Sequence, residues 1–217
     1  MQINKLFIHF DKLQQEFGCR NLTSIYGAGQ INHPDIIFVF MNPTGKNISA
    51  SKDWKGLKAP WIGTKNVWKL FYKLNLLNKE IFEDIQNKKS ENWDIYLSEK
   101  VYKNIKKNNI YITNLSKATQ KDARPLKNEV FLKYLDLFKE EIKIIKPKII
   151  ITFGNQVSSI ILNKKINVSN YRKKSEILEI DNKEIKVFPV YYPVGQGIRN
   201  IDIAIEDISW IIKKNIN

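Results

Sequence analysis

The chain has 217 residues, 43% of them hydrophobic and 12% aromatic, which predicts one globular domain over residues 1–217 with a substantial core. Its 36 Lys and Arg outnumber 22 Asp and Glu, and the formal charge of +14 favours a polyanionic partner such as nucleic acid. Lysine, asparagine and isoleucine are abundant throughout, however, as AT-rich coding would also produce, so charge alone does not identify the partner.

The composition excludes several classes of protein. Cys19 is the only cysteine, which excludes a disulfide framework and a thiolate-bound metal cluster, and we expect no metal or other cofactor. No apolar stretch reaches the length of a membrane span, and the opening MQINKLFIHF lacks the apolar core and cleavage site of a signal peptide. We therefore expect a monomeric, cytoplasmic protein without membrane contact, associated with the nucleoid if DNA is its partner.

Strand-like apolar runs alternate with helical patterns along the chain. In chain order they predict a strand at 35–41, a helix over 64–77, a strand at 109–113, a helix over 130–145, a strand at 148–153, a short helix over 156–163, a strand at 186–191 and an amphipathic helix over 201–214. The stretch 177–188, with Asp181-Asn182 as its turn, is typical of a β-hairpin. This alternation predicts an α/β fold, a three-layer α/β/α sandwich with a central, mostly parallel four-stranded sheet.

The segments that follow the four strands are the candidate functional site, because parallel sheets bind ligands beyond the carboxyl ends of their strands. All four segments carry amide side chains and three carry glycines, whereas none carries a carboxylate, histidine or cysteine. The site is therefore predicted to use hydrogen bonds and close backbone approach rather than acid–base pairs or metal ions. The segments are 42–45, 114–117, 154–156 and 192–197.

Five stretches, in order, resemble the motifs of the uracil-DNA glycosylase superfamily. They are GAGQINHPDIIFVFMNPTG, LKAPWIGTKNVWKLFYKLNLL, YITNLSKATQKDARP, EIKIIKPKIIITFGNQVSSIIL and VFPVYYPVGQGIRN. The resemblance implies a monofunctional DNA glycosylase that flips uracil or a related modified pyrimidine out of single- or double-stranded DNA and hydrolyses its N-glycosidic bond, as in base excision repair.

The layout is most similar to the iron–sulfur branch of that superfamily, but the cluster's cysteines are missing. Cys19 matches one of the four ligands, whereas Leu22, Ala118 and Tyr134 stand where the other three are expected and cannot supply a thiolate. The pair Asn42-Pro43 resembles instead the mismatch-specific and single-strand-selective branches, which use Asn at this position.

The resemblance implies a role for each residue of the base pocket. Asn42 would place the attacking water, Trp61 would stack on the base, Asn114 would read its N3–H and O4, and Tyr192 would donate a hydrogen bond to O2. Most relatives have His or Asn in place of this tyrosine. Met41 and Pro43 would complete the pocket. Each residue also has a purely structural alternative: Asn42 in a turn, Asn114 in a loop, Trp61 in the core and Tyr192 at the end of a strand.

A second set of residues would contact DNA outside the pocket. Gln196 would act as a wedge that fills the hole left by the flipped base, and two glycines would permit close approach to the backbone. The set is Thr44, Lys46, Lys117, Gly195, Gln196, Gly197 and Arg199. Two further readings remain open: a catalytically inactive DNA-binding relative, suggested by Tyr192, and the same fold acting on a bulkier modified base or a nucleobase-containing small molecule.

Overall fold

A computed structural model describes residues 3–123 and 126–216; Arg124 and Pro125, the end of the third motif, lie outside the described residues. Helices cover both faces of a six-stranded sheet in this part of the chain. The strands are β1 (Ala28–Gly29), β2 (Ile36–Phe40), β3 (Ile110–Asn114), β4 (Ile149–Phe153), β5 (Glu176–Ile180) and β6 (Lys183–Val190). The helices are α1 (Asn4–Phe17), α2 (Asn66–Lys73), α3 (Lys79–Asn87), α4 (Ile95–Lys107), α5 (Asn128–Ile145), α6 (Asn155–Ile161) and α7 (Ile201–Asn215).

The sheet has the strand order β1-β3-β2-β4-β6-β5, and its central strands β3, β2, β4 and β6 are parallel. These four are the predicted runs, so the predicted α/β/α class is confirmed. The predicted strand count was too low, because two antiparallel strands, β1 and β5, extend the edges. Strand β1 is two residues long, too short to give a periodic signal, and β5 is the first arm of the predicted hairpin.

The two faces of the sheet separate the core into layers. Every residue of β2 is buried, because successive side chains point to opposite faces and both faces are covered. Phe38 and Phe40 pack with residues of α2, α4 and α7, whereas Ile37 and Val39 pack with residues of α5 and α6. Helix α1 packs against the outer side of α5 around Phe10 and Tyr134.

Parallel strands bring their carboxyl ends to one edge of the sheet. Phe40 at the end of β2 is paired with Asn114 at the end of β3, and Phe153 at the end of β4 is paired with Val190 at the end of β6. The loops that follow these strands therefore start side by side. None of the described helices is both long and apolar enough to cross a bilayer.

Candidate active site

A cavity of about 600 Å³ opens at the carboxyl edge of the sheet. Its walls come from the loop after β2, the turn before α2, the end of β3 and the loop after β6. Asn42, Trp61, Asn114 and Tyr192 all line this cavity. Four side chains that are far apart in sequence are thus brought to one concave site, as the order of the motifs predicted.

The loops after β2 and β3 are joined to each other by main-chain hydrogen bonds. The amide of Ser116 donates to the carbonyl of Met41 at 3.0 Å, and the amide of Gln120 donates to that of Pro43 at 3.0 Å. The amide of Gly45 donates back to the carbonyl of Gln120 at 2.8 Å. The strand pairing of β2 with β3 therefore continues beyond the sheet, and the two loops form one unit.

Asn42 is half-buried at the start of this unit. Its Nδ2 donates to the carbonyl of Pro43 at 3.1 Å, which uses the donor side of the amide. Its Oδ1 has no hydrogen-bond partner among the described residues, so it is free to accept a hydrogen bond from a water in the cavity.

Asn114 is only 2% exposed, yet its side-chain amide makes no hydrogen bond with any residue in the described part of the chain. Buried side-chain amides are almost always paired, so an unpaired one needs an explanation. The exposed remainder of Asn114 lies at the cavity wall. Both its donor and its acceptor are therefore available to a molecule bound there.

Trp61 adopts a left-handed backbone conformation, with φ of 68°, which is strained for a residue other than glycine. Three donors hold its carbonyl: the amide of Thr64 at 3.1 Å, the hydroxyl of Thr64 at 2.7 Å and the indole N–H of Trp68 at 3.2 Å. The hydroxyl of Tyr102 also donates to the carbonyl of Pro60 at 2.6 Å. These bonds offset the strain and fix the backbone that carries the indole of Trp61 at the cavity wall.

Trp61 and Tyr192, which line the cavity, belong to an aromatic cluster that extends into the core. The rings of Trp61 and Tyr192 both contact Phe40 edge-on, with centroids 4.9 Å and 6.2 Å away. Phe40 is in turn stacked on Phe153 at 4.3 Å. Flat, apolar surfaces of this kind suit a planar ligand.

Tyr192 keeps its proton over the whole physiological range. Burial raises the pKa of its phenol well above the ordinary value, because the charged form would be poorly solvated. Its hydroxyl has no hydrogen-bond partner within the described ranges. Tyr192, which lines the cavity, is therefore a neutral phenol whose donor is not used by the described residues.

The segment after Tyr192 forms a short 3-10 helix, Gly195–Asn200. Gly195 has φ of 59° and lines the cavity. A Cβ at Gly197 would collide with the backbone carbonyl of Tyr192, so this glycine packs against the protein itself. Gln196 and Arg199 are exposed beside the cavity without lining it, and so is Ile198, a residue that the sequence interpretation missed.

The structure corrects one predicted DNA contact and places one predicted pocket residue outside the cavity. Lys117 is fully buried in an ion pair with Glu141, so the prediction that it contacts phosphate is wrong. Met41 packs against the core on the α5 side instead of lining the cavity, and Pro43, Thr44 and Lys46 do line it. Further residues that line it were missed, although most lie within or beside quoted motifs: Asn47, Thr64, Lys65, Asn66 and Ser90.

Comparison with known proteins agrees with this geometry. A model of the uracil DNA glycosylase superfamily matches residues 26–200, and the chain belongs to this superfamily. The chain is also 33% identical over 98 residues to the type-4 uracil-DNA glycosylase of Sulfurisphaera tokodaii. That match covers 42% of this chain and 43% of the relative, so less than half of either protein is aligned.

An iron–sulfur cluster does not fit the residues at the corresponding positions. Ala118 and Tyr134 are fully buried in an apolar cluster with Leu6 and Phe10, and Cys19 is the sole thiol in the sequence. In the described part of the chain, no group of three or more His, Cys, Asp or Glu side chains is placed to hold a metal ion.

A buried glutamine joins the segments that would carry the cluster. Nε2 of Gln14 donates to the carbonyls of Cys19 and Leu22, both at 3.1 Å. Its Oε1 accepts from the amide of Thr119 at 2.6 Å. Helix α1 thus fastens the loop at 19–22 to the chain after β3 by hydrogen bonds.

We expect Gln14→Leu to lower the free energy of unfolding by about 1–3 kcal/mol, because it leaves buried main-chain groups without partners. Urea unfolding followed by tryptophan fluorescence measures this. Gln15→Leu, on the exposed side of the same helix, is the matched control and should change stability little. Equal stability of the two variants would contradict the role of Gln14.

Proposed function

We propose that this protein is a monofunctional DNA glycosylase that hydrolyses the N-glycosidic bond of uracil, or a related modified pyrimidine, flipped out of DNA. One observation carries the proposal: the buried amide of Asn114 has no partner in the described part of the protein and lines the cavity. Family membership and the formal charge of +14 support DNA as the polyanionic partner. The same proposal holds that the protein is a monomer and that it acts in the cytoplasm on the DNA of the nucleoid.

Asn114 reads the base in this proposal. A side-chain amide presents an acceptor and a donor side by side, which match N3–H and O4 of uracil. Cytosine presents the reverse order at the same positions, so an amide held in one orientation rejects it. Trp61 supplies a stacking surface, and such stacking contributes about 1–3 kcal/mol per base.

Asn42 and Tyr192 act at the bond that breaks. Asn42 Oδ1 accepts a hydrogen bond from a water, whose oxygen bonds to C1′ as the C1′–N1 bond breaks and its electron pair leaves with the base. An amide is a poor general base, so the water's proton passes to solvent and the reaction is slower than with a carboxylate. The neutral phenol of Tyr192 donates to O2 and stabilises the charge on the departing base.

Polar groups around the cavity bind the rest of the DNA. Lys46 is exposed, lines the cavity and suits a flanking phosphate, whereas Lys65 also lines it but is half-buried and donates from Nζ to the carbonyl of Gln86 at 2.6 Å. Thr44 offers a hydroxyl from the same loop, and Arg199 extends this surface from the 3-10 helix. Pro43 and Gly195 line the cavity and set how closely the strand approaches.

The exposed side chains of Gly195–Asn200 are proposed to fill the gap that the flipped base leaves. Gln196 offers hydrogen bonds to the unpaired partner base, and Ile198, which is 42% exposed, offers an apolar wedge. We expect Gln196→Ala and Ile198→Ala each to lower excision from duplexes about tenfold more than excision from single strands. Single-turnover rates on the two substrates measure the ratio.

Ile177→Ala is the control for the wedge variants, because Ile177 is 50% exposed on the edge strand β5 and does not line the cavity. If both wedge variants keep the wild-type ratio of duplex to single-strand rates, this segment does not act on the duplex.

The test of the proposed function is incubation with oligonucleotides that carry uracil in a single strand, opposite guanine and opposite adenine, followed by alkaline cleavage at abasic sites. Protein carrying Asn42→Ala, purified in parallel, controls for glycosylases from the expression host. Excision above this control by the wild type supports the proposal. No excision of uracil or of any modified pyrimidine tried would overturn it.

A catalytically inactive DNA-binding relative is the second candidate, and Tyr192 at the position of the usual His or Asn favours it. This candidate predicts salt-sensitive binding to DNA with no scission of any substrate. Turnover that Tyr192→Phe removes would exclude it.

A further inference from the structure

A fully buried lysine lies directly behind the residue that is proposed to read the base. Nζ of Lys117 donates to Oγ1 of Thr113 at 2.8 Å, to the main-chain carbonyl of Asn114 at 2.5 Å and to Oε2 of Glu141 at 2.7 Å. An ammonium has three N–H donors, and these three acceptors account for all of them. The contact with Asn114 closes the chain into a tight loop directly after β3.

Glu141 completes the network from helix α5. Its Oε1 accepts from the hydroxyl of Tyr111 at 2.7 Å and from Oγ1 of Thr113 at 3.1 Å. Both members of the ion pair are essentially inaccessible to solvent, with side-chain exposures of 0% and 1%. Helix α5 is therefore connected through Glu141 and Lys117 to the carbonyl of Asn114.

Stability alone is a weak reason for this arrangement. Removing two charges from water costs about as much as their attraction returns, and well-packed apolar residues often replace buried pairs without loss. Burial lowers the pKa of the Lys117 ammonium, and the attraction of Glu141 opposes that shift. The network does provide geometry, because three of its hydrogen bonds hold Oγ1 of Thr113 or the carbonyl of Asn114, in the last two residues of β3.

Asn114 needs such support because its side-chain amide must be placed accurately. Among the described residues its amide has no hydrogen-bond partner, so its position depends on the backbone that carries it and on packing. Discrimination between uracil and cytosine requires the donor and acceptor to be placed within a fraction of an ångström.

We propose that Lys117 and Glu141 are positioning residues that fix Asn114 for base recognition, an inference that rests on the proposed function. They act through the main chain of Asn114 and do not touch the base. Lys117, first expected at the DNA surface, thus serves the same reaction from inside the protein.

The test is the double variant Lys117→Met with Glu141→Gln, which removes both charges together and keeps an acceptor for Tyr111. We expect a folded protein whose kcat/KM for uracil excision falls at least tenfold and whose preference for uracil over cytosine falls as well. Its affinity for DNA without uracil should match that of the wild type. Wild-type kcat/KM and base preference in the folded double variant would overturn the inference.

The control is a second ion pair outside the cavity. Nε of Arg172 donates to both carboxylate oxygens of Asp207, at 2.8 and 2.6 Å, and the Asp207 side chain is 2% exposed. Arg172→Met with Asp207→Asn removes this pair between the segment before β5 and α7; its carboxylate is nearly as buried as that of Glu141, whereas the Arg172 side chain is 36% exposed. This variant should match the wild type in excision and base preference, and a similar loss in both double variants would assign the effect to general destabilisation.

A nuclear magnetic resonance experiment separates failure of the inference from failure of the proposed function. The side-chain NH₂ pair of Asn114 is assigned by its absence from the Asn114→Asp spectrum. If the wild type excises nothing, the proposed function fails, and a shifted or broadened NH₂ pair in the Lys117 and Glu141 variant still supports the positioning role. An unchanged pair would overturn it. If the double variant does not fold, Lys117→Arg replaces it, because a planar guanidinium cannot make the same three contacts. The same measurements are then made, and the same outcomes support or overturn the inference.

Discussion

Replacement of Asn114 by alanine should lower kcat/KM for uracil excision by about 10²–10³, the effect of removing one oriented hydrogen-bonding group from a preorganised site. The loss should be accompanied by little change in stability, because the side chain makes no hydrogen bond with the described residues. Asn114→Asp should be as inactive, because a carboxylate cannot donate to O4 and repels the departing anion. Single-turnover cleavage and the urea midpoint measure the two effects.

Asn87→Ala is the matched control for Asn114→Ala, because Asn87 is an exposed asparagine at the end of α3 and does not line the cavity. Its kinetics should equal those of the wild type. Asn114→Ala protein that cleaves at the wild-type rate would show that base recognition lies elsewhere in the cavity.

Removal of one oxygen atom in Tyr192→Phe should lower the excision rate by about ten- to a hundredfold and leave DNA binding intact, because only the donor to O2 is lost. The pH dependence gives a second readout. Burial raises the pKa of this phenol, so the donor stays protonated at least through its ordinary value near 10, and this group should cause no fall in rate up to that pH.

Tyr191→Phe is the neighbouring control, since Tyr191 is half-buried but does not line the cavity. If Tyr192→Phe excises uracil at the full rate, another group stabilises the leaving base. If the wild type binds DNA without any turnover, the inactive relative is the correct reading of Tyr192.

The central strands were predictable because buried parallel strands are apolar on both faces, and their ends placed Asn42, Asn114 and Tyr192 at one edge of the sheet. The position of Trp61, on the turn before α2, followed from the motif resemblance and not from a strand end. Helix α1 was missed because its buried positions, Leu6, Phe10 and Gln14, end in a glutamine that breaks the apolar pattern. Helix α4 was also missed, although the sequence carries a signal for its start: Asp94 is a typical N-cap residue, and its side chain accepts a hydrogen bond from the amide of Leu97 at 2.7 Å.

Two features of the site could not be predicted from the sequence. Lysine is normally solvated, and only the packed fold shows that Lys117 is matched by Glu141, an acidic residue on the buried face of α5. The left-handed backbone of Trp61 is rare for a side chain of this size, and it results from three donors that converge from Thr64 and Trp68.

The main-chain bonds between the loops after β2 and β3 constrain how such a protein can diverge. An insertion or deletion in either loop would displace the other, so water placement and base recognition cannot be retuned one at a time. The turn before α2, which carries Trp61, is held by Tyr102 and Trp68 and is joined to the loop after β2 as well. Nδ2 of Asn47 donates to the carbonyl of Ala59 at 2.7 Å, and the amide of Ile48 donates to the carbonyl of Ile62 at 3.1 Å. Evolution or engineering toward a new nucleobase would therefore require compensating changes in all three of these segments at once.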